Sequence, residues 1–251
     1  MSEPIRTVTD VERRARLGLR HALSERASDP LAAAEAVVCL HATEPASVYL
    51  SAWARSGASR ADVDRALYTD RTIVRQLAMR RTVFAFPCDL LPAVRGSAAA
   101  RVAHQQAAHL ARDVVAGGLT TDGASWVEHA CADVLALLHA TPATTRQLRR
   151  QLPVLSERLT PTWPAAAAPT PVAPRVLTVL AAGGGVVRGA NDGVWTVSRP
   201  YWTPIETWLG APVPPLPEPE GYAELVGRWL WAFGPGTEAD ITWWLGATKK
   251  A

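Results

Sequence analysis

A helix-turn-helix pattern followed by a β-hairpin pattern occupies residues 140–202 of this 251-residue chain. Thr144 and Gln147 are spaced as a capping box, whose side chains satisfy the first backbone N–H groups of a short helix. A second helix, Arg175–Leu180, is predicted by its apolar periodicity and ends at Gly183–Gly185. The pair predicts a helix-turn-helix motif in which Arg175–Leu180 enters the major groove of DNA.

Two short β-type runs follow the second helix. Val186–Arg188 and Val194–Val197 are joined through Asn191-Asp192-Gly193, and Asp-Gly favours a tight hairpin because glycine accepts the positive φ of the turn. A hairpin in this place would be the wing of a winged-helix domain. We therefore predict a fold that is mainly α with short β-hairpins, arranged as tandem winged helix-turn-helix domains.

The composition is that of a folded protein with a local basic excess. The chain is 48% hydrophobic and 20% charged, which supplies enough apolar surface for packed cores. Its net charge is +3, and residues 1–120 carry 16 Arg against 12 acidic residues. Only Lys249 and Lys250 are Lys among the 26 basic residues. The arginine fork suits phosphate and guanine, but we attribute the ratio mainly to the coding bias of a GC-rich genome.

Cysteine usage and hydropathy indicate the cellular compartment of the protein. Cys39, Cys88 and Cys131 are far apart and odd in number, which argues against a disulfide framework and predicts reduced thiols. No apolar run is long enough to span a bilayer, and Met1–Arg6 lacks the apolar centre of a signal peptide. No histidine stands at metal-ligand spacing from a cysteine. The sequence predicts a cytoplasmic, nucleoid-associated protein with no membrane association, no metal and no cofactor.

Capping signals and periodicity also predict the elements of the first half. In the first helix, apolar side chains recur at Val11, Ala15, Leu19 and Leu23, a stripe that predicts a buried face. The predicted elements are helices over Val11–Leu23, Leu31–His41 and 45–57, a fourth helix capped by Ser59 and Asp62, a fifth over Thr69–Arg80, a strand over Thr82–Phe86, and a long helix over 89–115.

Glycine-rich and proline-rich stretches divide the chain into three predicted domains. Residues 1–117 are a first winged-helix domain with a long trailing helix, and residues 118–210 are a second winged-helix domain. Residues 211–251 are the incomplete start of a third winged-helix domain, which stops where its recognition helix is expected. Within the second domain, the prolines of Thr160–Pro174 forbid regular helix.

Several motifs together resemble one known family. The run Leu40–Arg55 reads LHATEPASVYLSAWAR, and it is similar to the signature of the bacterial winged-helix DNA-binding family that includes the AlkZ-like and YcaQ-like DNA glycosylases. The likeness keeps its order over nearly the whole chain. Further matching segments are Leu67-Tyr68, Arg75–Phe84, Gly193–Arg199 with Trp202, Glu224–Val226, Phe233–Pro235 and Trp243-Trp244.

The resemblance implies three tandem winged helices and a C-terminal β-barrel, curved around duplex DNA, in a monomer. It also implies the excision of bulky alkylated bases and the unhooking of interstrand crosslinks. The family's catalytic motif is Gln-apolar-Gln or Gln-apolar-Asp. The corresponding positions here are His41-Ala42-Thr43, so neither glutamine is present. We also expect this chain to stop before the barrel.

His41, Thr43 and Glu44 are the candidate catalytic residues. Base excision passes through an oxocarbenium-like transition state, so a protein must place a water on the anomeric carbon and offset positive charge. Glu44 supplies a carboxylate, His41 a hydrogen bond or a base, and Thr43 a hydroxyl that orients the water. Simpler alternatives are that His41 ends a helix and that Glu44 caps the helix beginning at Pro45.

Arginines are the candidate contacts to double-stranded DNA, because guanidinium groups neutralise phosphates. For Arg71 and Arg75 the alternative is a solvated helix face paired with Asp62, Asp64 and Asp70. The predicted contacts are Arg71, Arg75, Arg80 and Arg81 in the first domain, Arg146, Arg149 and Arg150 on the short helix, Arg175 on the recognition helix, and Arg188 and Arg199 beside the wing.

The sequence leaves three functions open. The leading hypothesis is a double-stranded DNA-binding member of the DNA-glycosylase superfamily that excises alkylated bases. The alternatives are a non-catalytic DNA-binding regulator and a truncated, inactive remnant. The remnant hypothesis predicts an exposed apolar patch around Trp229, Trp243 and Trp244.

Overall fold

The computed structural model describes residues 6–160 and 168–248. Over these ranges the chain is mainly helical with three small antiparallel sheets, which confirms the prediction of a mainly α fold with short hairpins. The elements are α1 (Asp10–Arg20), α2 (Pro30–Glu35), β1 (Leu40–His41), α3 (Pro45–Ser56), α4 (Arg60–Asp64), β2 (Ile73–Ala78), β3 (Thr82–Pro87), α5 (Leu91–Gly96), α6 (Ala98–Ala116), α7 (Gly123–Ala140), α8 (Thr145–Gln151), β4 (Arg158–Leu159), β5 (Thr170–Pro171), α9 (Ala173–Ala182), β6 (Val186–Asn191), β7 (Pro200–Pro204), α10 (Ile205–Leu209), α11 (Glu218–Phe233) and α12 (Glu238–Leu245).

Strand β2 occupies half of the segment for which the sequence predicts a helix, Thr69–Arg80. It pairs with β3 from Ile73 opposite Pro87 to Ala78 opposite Thr82. The helix prediction is wrong because all six residues of β2 are buried, Arg75 and Gln76 included, so its sequence lacks the apolar-polar alternation that marks a half-exposed strand. The predicted strand at Thr82–Phe86 is confirmed as β3.

Strand β1 replaces the end of a second predicted helix, Leu31–His41. The helix α2 begins after the Asp29 cap, as predicted, but ends at Glu35. Val38 then adopts a positive φ of 69°, which turns the chain so that Leu40 and His41 pair with β3. The sheet order is β1-β3-β2, and His41 lies on an edge strand rather than at a helix terminus.

The second hairpin forms, but with a different second strand. Strand β6 pairs with β7, and the predicted strand Val194–Val197 belongs to the connecting loop 192–199. Asn191 closes this loop: its side-chain amide donates to the carbonyls of Val194 (3.0 Å) and Val197 (2.8 Å), and its oxygen accepts from the Arg199 N–H (2.8 Å). The Asn191 side chain thus hydrogen-bonds backbone N–H and C=O groups that would bond to the opposite strand in a tight hairpin.

Helix α9, the predicted recognition helix, is packed against α6, α7, α8 and β2. Six of its ten residues are buried. The entry of this helix into the major groove stays a prediction. The long helix predicted over 89–115 is interrupted at Ser97, which separates α5 from α6.

Two core clusters lie on the two faces of the β1-β3-β2 sheet. The first core cluster, of buried residues between 34 and 202, includes Leu77 and Ala85. The second, of buried residues between 38 and 245, includes Val74 and Phe86. The first cluster draws on residues from both sides of position 118, and α11 packs on α5. The three-domain division stays a prediction.

Helix α1 has the opposite orientation to the predicted one. None of its residues is buried, and Val11 and Leu19 of the predicted buried stripe are 75% and 57% exposed. Its basic side faces the protein instead, because Arg13 donates to the Pro235 carbonyl (2.6 Å) and Arg20 to the Gly234 carbonyl (3.1 Å). Hydrogen bonds to backbone carbonyls just after α11 thus turn these arginines towards the protein.

The tryptophans near residue 240 do not form the continuous exposed patch of the remnant hypothesis. Trp229 is buried and stacks on Phe233 at 5.8 Å, whereas Trp243 is 68% exposed. Trp244 is half-buried. The predicted proline break at 160–174 lies partly outside the described residues, which resume at 168 and form the β4–β5 pair with Arg158–Leu159.

Gly123 permits the close approach of α7 to α6. A Cβ at this position would lie 2.0 Å from the Ala111 carbonyl oxygen, whereas a Cβ at Gly227 in α11 would meet no atom within 4 Å. We expect Gly123→Ala to lower the free energy of unfolding by about 1–3 kcal/mol. The control Gly227→Ala should raise it by about 0.4–1 kcal/mol. Urea unfolding of both variants tests this, and an equal effect would contradict it.

Candidate functional site

His41 ends the edge strand β1, and Thr43 follows in the bend that leads to α3. The chain alternates at this point, because His41 and Thr43 are exposed while Ala42 is buried and donates its N–H to the Val83 carbonyl at 2.9 Å. The His41 ring meets the Phe84 ring edge-on, with centroids 5.9 Å apart. His41 and Thr43 are therefore both open to solvent, two residues apart.

Glu44 stands at the N-cap of α3, directly after this strand. Its carbonyl accepts the Ser47 N–H at 3.0 Å, but its side chain makes no capping hydrogen bond. The capping alternative for the carboxylate is thus not what the structure shows. The exposed carboxylate lies one residue from Thr43, at the positive end of a twelve-residue helix. It can accept a hydrogen bond from a water held beside His41 and Thr43.

Helix α3 is fixed to the second hairpin. The Tyr49 hydroxyl donates to Asp64 at 2.6 Å, and the Tyr49 ring lies 4.9 Å from the ring of Trp195 in the loop 192–199. Burial and the neighbouring Asp64 raise the pKa of Tyr49 above its usual range, so this hydroxyl stays protonated and keeps donating. The start of α3 and the loop of the hairpin are held in one arrangement.

Arg80 and Arg81 form the exposed tip of the first hairpin. Both have positive φ, 54° and 57°, a conformation that costs on the order of 1–3 kcal/mol for a residue with a side chain. The Arg80 guanidinium lies 4.3 Å from the ring centroid of Trp243. The strained turn directs two adjacent guanidinium groups away from the sheet.

Arg146, Arg149 and Arg150 are exposed on α8. The helix starts at the predicted capping box, in which Thr144 and Gln147 each hydrogen-bond the other's backbone. Its cap fixes where the three guanidinium groups leave the surface, and they contribute a local positive face.

Three arginines near the junction of the two hairpins contact aromatic rings: Arg71, Arg75 and Arg188. Within residues 6–160 and 168–248, none of them forms an ion pair with a carboxylate. Arg71 lies 4.4 Å from the Trp208 ring centroid and donates to the Trp208 carbonyl. The predicted alternative, a solvated face paired with aspartates, is wrong. Arg199 is exposed in the adjoining loop.

Arg75 and Arg175 are placed differently from surface contacts. Arg75 is only 5% exposed, and it donates to the carbonyls of Arg188 and Gly189 at 3.2 and 3.1 Å. Arg175 forms an ion pair with Asp113 of α6. Both predicted DNA contacts therefore hold elements of the protein together in this structure.

Gln76 is a buried polar residue that sequence reasoning missed. It is 1% exposed, and its side-chain amide donates to the carbonyls of Ala181 and Leu77. The amide ties β2 to the end of α9. The available signal was the polar pair Arg75-Gln76 between apolar residues of β2.

Neither a metal site nor a membrane span is found in the part of the chain that the structure describes. No group of three or more His, Cys, Asp or Glu side chains there could hold a metal ion. No helix there is long and apolar enough to cross a bilayer.

The chain is mainly helical, carries two helix–hairpin units and exposes several arginines. This combination is typical of proteins that act on DNA. Residues 34–251 match the model of the AlkZ-like DNA glycosylase family, described as "DNA glycosylase AlkZ-like", and the chain belongs to that family. The resemblance seen in the sequence is thereby confirmed.

The fold is also similar to a solved structure, the Streptomyces sahachiroi DNA glycosylase AlkZ. The TM-score is 0.67 at 18% sequence identity, and the match covers 96% of this chain and 65% of that chain. This chain therefore spans about two thirds of the length of that structure. No curated protein matches the sequence.

Proposed function

We propose that the protein binds double-stranded DNA through tandem winged helices and excises alkylated bases. The family membership supports action on DNA. The observation that carries the proposal is the exposed group His41, Thr43 and Glu44, brought together by an edge strand and the start of α3.

The topology of both units supports the winged-helix assignment. In the first, the order α2, β1, α3, α4, β2, β3 folds with the sheet order β1-β3-β2. In the second, the order is α7, α8, α9, β6, β7, and an isolated bridge joins Ala143 to Trp202 of β7. In each unit the segment after the first helix thus pairs with the last strand of the hairpin.

In the proposed reaction, a water attacks the anomeric carbon of the damaged nucleotide, and the bond from that carbon to the base nitrogen breaks. The base departs with the bonding electron pair, which neutralises the positive charge of an N7-alkylated guanine. Glu44 accepts the proton of the water and offsets the oxocarbenium charge. His41 and Thr43 orient the water.

The DNA contacts proposed here are the predicted arginines that are exposed or partly exposed. Arg75 and Arg175 are left out of the set because their guanidinium groups are engaged inside the protein. The proposed set is Arg71, Arg80, Arg81, Arg146, Arg149, Arg150, Arg188 and Arg199.

A glycosylase assay tests the proposal. The protein is incubated with an end-labelled duplex that carries one N7-methylguanine, and abasic sites are then cleaved with alkali. Strand scission above that of an undamaged duplex is expected. Salt-dependent binding without scission would instead support a non-catalytic DNA-binding protein, the alternative favoured by the absence of both motif glutamines at His41 and Thr43. No binding at low ionic strength would overturn both functions.

Salt dependence reports the arginines of α8. Removal of one phosphate-binding side chain should reduce the slope of log affinity against log salt by about 1. We expect this reduction for Arg149→Gln and again for Arg150→Gln, measured by fluorescence anisotropy on one duplex. The control is Arg112→Gln, an arginine on α6 outside the proposed set. Equal slopes for all three variants would contradict α8 as a DNA contact.

A further inference from the structure

Arg75 and Arg188 form a pair of cations at the junction of the two hairpins. Arg75 lies within the buried strand β2, and its guanidinium is hydrogen-bonded to the backbone of Arg188 itself. The Arg188 guanidinium lies 4.7 Å from the ring centroid of Trp202. Among the described residues, the charge of this pair is met by carbonyls and aromatic faces and by no carboxylate.

Such a pair carries an electrostatic cost in the isolated protein. Cations removed from water are disfavoured unless an anion compensates them, and two like charges disfavour each other. Burial, and to a smaller extent the charge of Arg75, lower the pKa of Arg188 to about 10. Carbonyl dipoles and ring faces offset part of this cost, but they add no negative charge.

The accessible edge of Arg188 faces the loop 192–199. Its Nη1 lies 3.5 Å from the hydroxyl oxygen of the exposed Ser198. A Cβ at the neighbouring Gly189 would lie 2.9 Å from the Thr203 hydroxyl oxygen, so the strands pass closely behind the site. A guanidinium and a hydroxyl side by side suit the oxygens of a phosphate group.

We propose that Arg188 and Ser198, with Arg75 behind them, are a binding site for one phosphate group. This inference rests on the proposed function, in which the group is a phosphodiester of the DNA backbone. Arg188 is the contact and Arg75 is a positioning residue, which holds the Arg188 backbone and keeps the site cationic. The phosphate supplies the negative charge that the site lacks.

Thermal unfolding with inorganic phosphate tests the site. Phosphate is titrated at constant ionic strength, with chloride as the balancing ion, against the wild type, Arg188→Met and the control Arg112→Met, an exposed arginine of α6 outside the proposed DNA-binding set. The wild type and the control should show a saturable rise in unfolding temperature. Arg188→Met should lose that rise, and without phosphate it should be at least as stable as the wild type, because a costly charge is gone. Arg188→Lys keeps the charge without the fork, and it should show a smaller rise.

The opposite pattern overturns the proposal. If the wild type shows no rise with phosphate, or if Arg188→Met unfolds at lower temperature and keeps the rise, then Arg188 only joins the hairpins. A duplex arm identifies the source of the phosphate: a backbone contact requires Arg188→Met to reduce the salt slope by about 1. If phosphate stabilises the wild type but the duplex does not bind, the site stands and the DNA-binding function fails. If the duplex binds without any phosphate effect, the function stands and the site fails.

Discussion

Glu44→Gln will lower the rate of base excision by about 10²–10⁴-fold, the usual contribution of a positioned acid or base. The substitution preserves the shape of the side chain but removes the charge that accepts the proton of the water. Because Glu44 caps no helix N–H with its side chain, the fold and the duplex affinity should be unchanged. Single-turnover release of N7-methylguanine, with protein in excess, measures the rate without product release.

The matched control for Glu44 is Glu35→Gln, an exposed carboxylate at the end of α2. Its excision rate should equal that of the wild type. His41→Ala should fall in the same direction as Glu44→Gln. If Glu44→Gln and Glu35→Gln release the base at the same rate, the assignment of Glu44 as the group that activates water is wrong.

Arg175→Met will lower the free energy of unfolding by about 1.5–3 kcal/mol, the effect of removing a charged hydrogen-bond partner from a nearly buried carboxylate. The carboxylate of Asp113 would remain in place, and that side chain is only 4% exposed. Asp113→Asn should cost less, because the Arg175 side chain is 22% exposed and reaches water. Urea denaturation gives both values, and their order is the specific expectation.

An exposed arginine provides the control for this comparison. Arg150 is exposed on α8. Arg150→Met should therefore change the free energy of unfolding by no more than about 0.5 kcal/mol. If Arg175→Met and Arg150→Met have equal effects, the ion pair between α9 and α6 contributes little. That result would leave apolar packing as the force that holds α9 beneath α6.

Elements whose signals are local could be predicted from the sequence. Gly57 ends α3 with a positive φ of 72°, and capping boxes start α4, α8 and α12 at Ser59, Thr144 and Thr237. In each case the residues that define the helix end lie within three or four positions of one another. The physical cause is therefore written in a short window of sequence.

Elements that depend on distant partners could not be predicted. Strand β2 is buried between sheet and helices, so its sequence lacks alternation, and β1 exists because Leu40 and His41 find β3 more than forty residues later. The candidate site inherits this limit. Its residues could be named from the family motif, but their exposure at the end of an edge strand and in the turn to α3 could not. The burial of Arg75 follows equally from the remote carbonyls of Arg188 and Gly189.

Helix α1 is attached through carbonyls at the end of α11, and none of its own residues is buried. Releasing it would expose little additional apolar surface, so its opening free energy should be far below that of global unfolding. Its backbone amides should exchange with deuterium well before those of α6 or α9. The match to the family model starts at residue 34, so this early-exchanging unit precedes the matched region. Limited proteolysis should therefore trim the chain towards that region while leaving the cooperative core intact.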